Sequence, residues 1–276
     1  MTVRGRPLVL STAVVATVGF LLPLPALLDA WPAALAPWAE QWIAWPVWLF
    51  PVLFVVACLA APLFPRLPFF APVLCRNPHA SGCVALTFDD GPSPETTPRL
   101  LRLLETLNAE ATFFIVGRKA RQHPDLVKAI LTGGHEIANH TQSHDVLLAL
   151  RSTANVREEI AECSKILAGF GAVSPLLRAP VGIINPRIAR VAREQGLTLV
   201  NWSVRAGDRG NRNTLGMGMR LAGRIRGGDI VLLHDRPPED QTADTWVAEI
   251  GEMIALHSAR GIRFATVTQL MQVGRR

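Results

Sequence analysis

Short apolar segments alternate with amphipathic segments through the last two thirds of the chain. Segments rich in β-branched and aromatic residues predict buried strands, and apolar residues at every third or fourth position predict helices. This alternation indicates a parallel sheet covered by helices, and seven such units approach the number that closes a barrel. The predicted strands are Val84–Phe88, Ala111–Val116, Glu136–Asn139, Leu176–Ala179, Leu197–Ser203, Asp229–Leu233 and Arg263–Val267, and the predicted helices are Pro98–Leu107, Asp125–Thr132, Val156–Ala168, Pro186–Gln195 and Trp246–His257.

The first 64 residues have a different pattern, because two long segments contain no charged residue. Leu8–Leu28 and Trp42–Phe64 are each close to the roughly 20 residues that cross a hydrocarbon core, so both are predicted transmembrane helices. Five of the seven tryptophans lie in or beside the loop between them, as suits a lipid–water interface. We therefore expect a membrane anchor in residues 1–64, a proline-rich linker in 65–80 and a second domain in 81–276, with membrane lipid as one partner.

The charges beside the two apolar segments bear on which side of the membrane the second domain faces. Arg4 and Arg6 precede the first segment, and Arg66 and Arg76 follow the second. The charged residues of the loop between the two segments are all acidic. Basic flanks stay in the cytoplasm, so two spans predict a multi-pass protein of the cell membrane with a cytoplasmic domain. The run from Leu8 to the first proline is 15 residues long, however, and a single span by the second segment would place the domain outside.

Composition narrows the class of protein further. The net charge is +6, the arginines are scattered, and no nucleic-acid motif is present, so we expect no nucleic-acid partner. The four cysteines include no CxxC pair and no spacing typical of a structural zinc site. A disulfide between Cys75 and Cys83 stays open, and the sequence identifies no protein partner.

Acidic and histidine side chains follow three of the predicted strands. Asp89 and Asp90 end the first strand, His140 and His144 follow the third, and His234 ends the sixth. In a helical turn, the spacing of the histidine pair would place both imidazoles on one face, although ordinary core or surface histidines show the same spacing. Because the ends of parallel strands meet at one edge, these side chains are expected to form one site. One carboxylate and two imidazoles can hold a divalent metal ion, which leaves an aspartate as base and a histidine as acid.

Five motifs follow one another in the second domain. They are TFDDGP at 87–92, HTQSH at 140–144, RAPVG at 178–182, Trp202 with Asp208, and LLHD at 232–235. The first two motifs are highly specific together, and the ordered set of five is hard to obtain by chance. On these motifs, the chain from about Ala80 to Val273 resembles the polysaccharide deacetylase family, whose domain is also called the NodB homology domain.

The resemblance implies a distorted, incomplete (β/α)7 barrel and a metal-dependent hydrolase. Such an enzyme removes an N-acyl group, with acetyl as the expected group, from an amino sugar of a glycan or a lipid-linked saccharide. The resemblance implies that Asp89 is the general base, paired with Arg178, and that His234 is the general acid, oriented by Asp208. Asp90, His140 and His144 would hold the metal ion, expected to be zinc, while the backbone N–H of Val181 would stabilise the oxyanion and Leu232 would line the pocket for the acyl methyl group.

Three positions depart from the family pattern. Ala179 and Val181 stand where the family commonly has proline and an aromatic residue, and Arg209 stands where it commonly has tryptophan. Aromatic faces stack on sugar rings, so these departures favour a smaller or lipid-linked sugar over a long polymer. Two alternatives remain at this point, namely a deformylase of a lipid-linked amino sugar and a non-catalytic, membrane-anchored carbohydrate-binding module.

Overall fold

The computed structural model describes residue 49, residues 51–56 and residues 70–274. Residues 49 and 51–56 are helical, and the rest of the two predicted transmembrane segments lies outside the described residues. Within these ranges, no helix combines the length and the apolar character that a bilayer span requires. The chain divides into two units, Met1–Leu59 and Ala60–Arg276, and the second unit contains all the strands given below.

Eight strands form one sheet in residues 70–274, and every ladder between them is parallel. All seven predicted strands are present, most of them shorter than expected. The order across the sheet is β5-β4-β3-β2-β1-β7-β6, and β8 pairs with the first residues of β1. The strands are β1 (Cys83–Gly91), β2 (Thr112–Ile115), β3 (Glu136–Asn139), β4 (Leu176–Leu177), β5 (Thr198–Leu199), β6 (Val204–Arg205), β7 (Ile230–His234) and β8 (Arg263–Ala265).

The predicted strand Leu197–Ser203 differs most from the structure, because only Thr198–Leu199 within it form a strand, β5, and β6 begins just after its end. The segment between β5 and β6 pairs with the second strand from each end of the sheet, β4 and β7. Val200 N–H donates to the carbonyl of Leu177 in β4 at 2.9 Å, and Ser203 N–H donates to the carbonyl of Ile230 in β7 at 3.0 Å. One stretch of chain thus links the two ends of a curled sheet, which fits the predicted incomplete (β/α)7 barrel.

Helices follow most of the strands and cover the sheet. The five predicted helices are confirmed with small shifts at their ends, and three helices of six residues each were not predicted. Side-chain caps explain several helix starts, since Ser152, Asn185 and Thr242 accept hydrogen bonds from backbone N–H groups of the first turn. The helices are α1 (Thr97–Thr106), α2 (Gly117–Gln122), α3 (Pro124–Thr132), α4 (Thr153–Ala168), α5 (Pro186–Glu194), α6 (Met217–Ala222), α7 (Ala243–Ser258) and α8 (Val267–Gln272).

Strand β1 is buried on both faces, and its side chains alternate between two cores. Val84, Leu86 and Phe88 belong to the cluster that packs under the covering helices, whereas Ala85 belongs to the inner cluster of the barrel. The same alternation predicts that Asp89, four residues after Ala85, also points to the inside of the barrel. The strand therefore delivers one carboxylate to the end of the barrel interior.

The two cysteines near the start of the domain do not form the disulfide that the sequence left open. The thiol of Cys83 is buried and lies 3.7 Å from Nη2 of Arg263 in β8, the strand that pairs with this part of β1.

Candidate active site

The first group of site residues lies where β1 ends. Asp90 has a φ of 70°, in the left-handed region that costs a side chain other than glycine about 1–3 kcal/mol. The next residue, Gly91, passes so close to Asp235 that a Cβ there would lie 2.4 Å from the Asp235 carboxylate. The N–H of Asp235 in turn donates to the carbonyl of Asp89 at 2.7 Å. A strained turn thus gives the neighbouring carboxylates of Asp89 and Asp90 different directions.

The carboxylate of Asp235 is a buried support for this turn. The hydroxyls of Thr96 and Thr97 donate to its two oxygens at 2.6 and 2.5 Å. Burial raises the pKa of Asp235 to about 6, against the opposing effect of these two hydrogen bonds. Because Asp235 is completely buried and its carboxylate is engaged with Thr96 and Thr97, it supports the turn and is not exposed in the site.

Asp90, His140 and His144 form a compact cluster of metal-ligating side chains. One candidate ligand atom from each lies within 4.8 Å of the other two. Oδ1 of Asp90 lies 3.5 Å from Nε2 of His140 and 3.1 Å from Nε2 of His144. This oxygen is buried and accepts no hydrogen bond from any residue in the described part of the chain. A buried carboxylate oxygen and two imidazole nitrogens this close together form a set of ligands that a divalent metal ion binds.

The two histidines do not share a helical turn, so this part of the prediction is wrong. They lie at the two ends of an irregular loop, residues 140–144, that follows β3. In this loop, Thr141 and His144 have φ values of 66° and 57°. Helix α4 fixes the loop, because the carboxylate of Glu159 accepts hydrogen bonds from the N–H and the hydroxyl of Ser143, both at 2.8 Å. Left-handed backbone at two positions, and not helical periodicity, brings the imidazoles together.

The electrostatics of the cluster favour a bound cation. Although burial opposes the charged form, the carboxylates of Asp89 and Asp90 raise the pKa of His140. Burial and the adjacent His140 lower the pKa of His144, which favours the neutral imidazole that a metal ion requires. Nδ1 of His140 lies 2.7 Å from the carbonyl of Arg178, so this nitrogen is the donor and Nε2 is the free ligand atom.

Beside the cluster, Asp89 is paired with a completely buried arginine. Nη1 of Arg178 donates to Oδ1 of Asp89 at 2.6 Å and to the hydroxyl of Thr87 at 2.8 Å. The other guanidinium nitrogens donate to the carbonyls of Val200 and Asn201. The second carboxylate oxygen, Oδ2, lies 3.8 Å from Nε2 of His140. Arg178 thus holds one oxygen of Asp89 while the other faces the candidate metal ligands.

A carboxylate–imidazole pair also lies at this end of the barrel. Strand β7 pairs with β1 so that His234 stands directly opposite Asp89. Nδ1 of His234 lies 2.7 Å from Oδ2 of Asp208. Although burial opposes it, this hydrogen bond raises the pKa of His234 and favours the imidazolium form. The barrel end therefore holds an Asp–Arg pair and an Asp–His pair beside one triad of metal-ligating groups.

Comparison with known proteins agrees with this geometry. Residues 76–200 match the sequence profile described as polysaccharide deacetylase. A peptidoglycan-N-acetylglucosamine deacetylase of Bacillus cereus is 34% identical over 197 residues, which cover 71% of this chain and 91% of the relative. The chain belongs to the polysaccharide deacetylase family. Within that family it is a hydrolase that acts on carbon–nitrogen bonds other than peptide bonds.

Two further relatives show the range of the match. A chitooligosaccharide deacetylase of Sinorhizobium fredii is 35% identical over 172 residues, 62% of this chain and 80% of the relative. The crystal structure of the Bc1960 peptidoglycan N-acetylglucosamine deacetylase has a TM-score of 0.67 and 32% identity, and the match covers 74% of this chain and 94% of that structure. The likeness therefore extends over nearly all of the second unit.

The structure also places the two residues that the family resemblance assigned to substrate contacts. Leu232 is buried in the inner cluster, on the same face of β7 as His234. Val181 is half exposed with a φ of 51°, and the adjacent Gly182 packs so tightly that a Cβ there would lie 2.4 Å from the Trp202 ring. Their assigned roles toward substrate stay predictions, because these contacts are all within the protein.

Sequence reasoning missed two basic residues that touch the metal-ligating cluster. Nζ of Lys119, in α2, donates to the backbone carbonyl of Asp90 at 2.6 Å. Nη1 of Arg236 lies 4.0 Å from Oδ2 of the same aspartate. Lys119 is far from Asp90 in sequence and belongs to a helix too short for a periodic signal. Arg236 follows the LLHD motif directly, and this position was the one available clue to its role.

Proposed function

We propose that this member of the family is a metal-dependent deacetylase, which hydrolyses the N-acetyl amide of an amino sugar. The observation that carries the proposal is the placement of the Asp90, His140 and His144 cluster beside both the Asp89–Arg178 pair and the Asp208–His234 pair. The relatives named above are deacetylases of N-acetylglucosamine in peptidoglycan and of chitooligosaccharides, which supports the same type of substrate here.

The cluster fits a divalent metal ion, and we propose zinc. A carboxylate and two imidazoles supply three ligands and leave positions for water and substrate, as in hydrolytic zinc sites. Such an ion polarises a water molecule and an amide carbonyl, and it stabilises the negative charge that develops on the carbonyl oxygen. The orphaned Oδ1 of Asp90 and the free Nε2 of His140 are the atoms that fit this ion best.

Asp89 is proposed as the general base. Its Oδ1 is held by Arg178, so Oδ2 is the oxygen that accepts a proton from the attacking water. Arg178 is itself held in place, since its guanidinium nitrogens all donate to Asp89, Thr87 or backbone carbonyls. The pair therefore fixes the position of the base and keeps one oxygen available.

His234 is proposed as the general acid. Its Nδ1 is engaged with Asp208, so Nε2 carries the proton that the departing amine needs. Amide cleavage is slow without this proton, because an amine anion is a very poor leaving group. We also propose that the N–H of Val181 donates to the developing oxyanion and that Leu232 contacts the acyl methyl group, as the family pattern implies.

The substrate and its location are part of the same proposal. The family commonly has aromatic rings at the positions of Val181 and Arg209, and proline at the position of Ala179. The absence of these rings favours a small or lipid-linked sugar. Residues 81–276 would be the catalytic domain, and residues 1–64 would hold it at the cell membrane. The arginines that flank the two apolar segments favour the cytoplasmic side.

The direct test is release of acetate by the purified full-length protein. N-acetylglucosamine oligomers and a lipid-linked N-acetylglucosamine are incubated with the enzyme, with and without a chelator, and acetate and formate are quantified. We expect acetate release that stops with chelator and returns when zinc is added. Activity that persists in the metal-free protein would contradict metal dependence, and sugar binding without any release would favour a binding module.

Replacing a metal ligand should remove metal and activity together. We expect His140→Ala, His144→Ala and Asp90→Ala each to lower bound zinc, measured by elemental analysis, and acetate release in parallel. His79→Ala is the matched control, since His79 is exposed and lies in none of the motifs. A ligand variant that kept full metal content would remove that residue from the proposed site.

A further inference from the structure

Arg236 lies at the active-site edge, where it is close to two carboxylates but donates no hydrogen bond to either. Its Nη1 is 4.0 Å from Oδ2 of Asp90, and its Nη2 is 3.6 Å from Oε1 of Glu239. Neither distance is a hydrogen bond, and the guanidinium donates no hydrogen bond to any residue in the described ranges. Its side chain is one-third exposed. Several guanidinium N–H groups are therefore available beside the proposed metal ligands.

The backbone that carries Arg236 is firmly held. Nδ2 of the buried Asn211 donates to the carbonyls of His234 and Arg236, at 3.0 and 2.6 Å. The carbonyl of Asn211 accepts a hydrogen bond from the N–H of Glu239 at 2.9 Å. The guanidinium lies over the backbone of Gly210, where a Cβ would be 3.5 Å from Nη1. These bonds fix the base of the Arg236 side chain relative to His234.

The neighbouring loop that contains Asn211 supplies further positive charge. Arg209 and Arg212 are both exposed, and Nε of Arg212 lies 3.3 Å from the carboxylate of Glu239. Glu239 thus lies between two arginines and is itself half exposed. An arginine guanidinium with free N–H groups matches the planar or tetrahedral oxygens of carboxylate and phosphate. The surface next to the general acid is therefore suited to an anion.

We propose that Arg236 forms a subsite for an anionic substituent of the amino sugar. The inference rests on the proposed function, because His234 must lie beside the nitrogen that leaves. Because Asn211 ties the backbone of Arg236 to that of His234, we assign the anion to a sugar carbon next to the one that carries the acylamino group. Two substituents have this chemistry, a phosphate on the anomeric oxygen and an acidic ether on the neighbouring ring hydroxyl.

Three sugars distinguish a phosphate from a carboxylate as the anion that binds. The methyl glycoside of N-acetylglucosamine is neutral, N-acetylglucosamine anomeric phosphate carries the phosphate, and the methyl glycoside of N-acetylmuramic acid carries the carboxylate. Binding to the full-length protein is measured by calorimetry after metal removal, so that the anions cannot bind to zinc. Turnover, as kcat/KM, is measured with zinc restored. The variants are Arg236→Gln and, as the control, Arg190→Gln, since Arg190 forms an exposed pair with Glu194 in α5.

We expect at least one anionic sugar to bind about tenfold more tightly than the neutral sugar, or better, and to have a kcat/KM higher by a similar factor. This is the size of effect that hydrogen bonds between charged groups produce. In Arg236→Gln this ratio should fall toward one, and in Arg190→Gln it should stay as in the wild type. The ratio should also decrease with added salt. Whichever anion is preferred identifies the source, phosphate or carboxylate.

Two outcomes would overturn the subsite. One is a wild-type protein that treats neutral and anionic sugars alike, and the other is an anion preference that Arg236→Gln retains. Acetate release from neutral sugars alone would leave the deacetylase function in place and reject the subsite. Anion-selective binding without acetate release from any sugar would instead support the subsite and contradict the proposed reaction.

Discussion

Two aspartates at the barrel end have partners of different kinds, and the contrast explains how one site can hold a base and an acid. Asp89 pairs with Arg178 at 2.6 Å, and Asp208 pairs with His234 at 2.7 Å. The side chain of Arg178 is 0% exposed, whereas that of His234 is 15% exposed. Arginine keeps its charge at all ordinary pH values, while histidine gains and loses a proton near neutrality.

In the proposed mechanism, the partner decides what each aspartate does. Beside a permanent cation, Asp89 is oriented by a group that cannot exchange protons, so the carboxylate itself would accept one. Asp208 lies beside an imidazole whose pKa it raises, so His234 would carry the proton and the carboxylate would orient it. Similar geometry in the two pairs would thus give opposite chemistry, because one partner titrates and the other does not.

The largest effect is expected from breaking the buried pair. Arg178→Met should leave the Asp89 charge without its partner, which typically costs about 3–5 kcal/mol in the free energy of unfolding. Denaturant unfolding measures this loss, and acetate release should fall with it. Arg190→Met is the control, since exposed pairs contribute about 0–1 kcal/mol. Equal losses of unfolding free energy in the two variants would mean that the buried Asp89–Arg178 pair stabilises the protein no more than an exposed pair does.

Asp89→Asn keeps the shape of the side chain and removes its ability to accept a proton. We expect turnover to fall at least roughly a hundredfold, as for the loss of a general base, while zinc content stays near one ion per chain. Elemental analysis and acetate release on the same preparation measure both. A fully active variant with metal bound would show that Asp89 is not the base.

Asp208→Asn should have a smaller effect of a different kind. The hydrogen bond from His234 to the Asp208 carboxylate raises the pKa of His234, so neutralising that carboxylate lowers it. Activity that needs the imidazolium form is lost as pH rises through this pKa, and the alkaline limb of the pH profile should therefore move to lower pH. The acid limb should stay in place. An alkaline limb that does not move would show that Asp208 does not set the pKa of the general acid.

Strand pattern and motif order could predict much of this site. Asp89, Asp90 and His234 end strands whose apolar runs are plain in the sequence, and parallel strands bring such ends together. The loop of His140 and His144 could not be predicted in the same way. It contains left-handed residues, and it is held through Ser143 by Glu159 in α4, a contact between distant elements that no local pattern contains.

The same reason explains the other differences. Only two residues of the predicted strand Leu197–Ser203 form a strand, because its middle pairs with β4 on one side and its end with β7 on the other, which depends on how far the sheet curls. Lys119 and Arg236 reach Asp90 through the tertiary fold. Periodicity predicts elements, whereas contacts across the barrel end arise only when the elements are assembled.

The pH profile of His234→Ala tests the division between base and acid most directly. Wild-type kcat/KM is expected to follow a bell-shaped curve that needs one ionised carboxylate and one protonated imidazole. In His234→Ala, measured with zinc bound across the same pH range, we expect much lower activity and no alkaline limb, while the acid limb remains. An alkaline limb that persists unchanged in this variant would contradict the account.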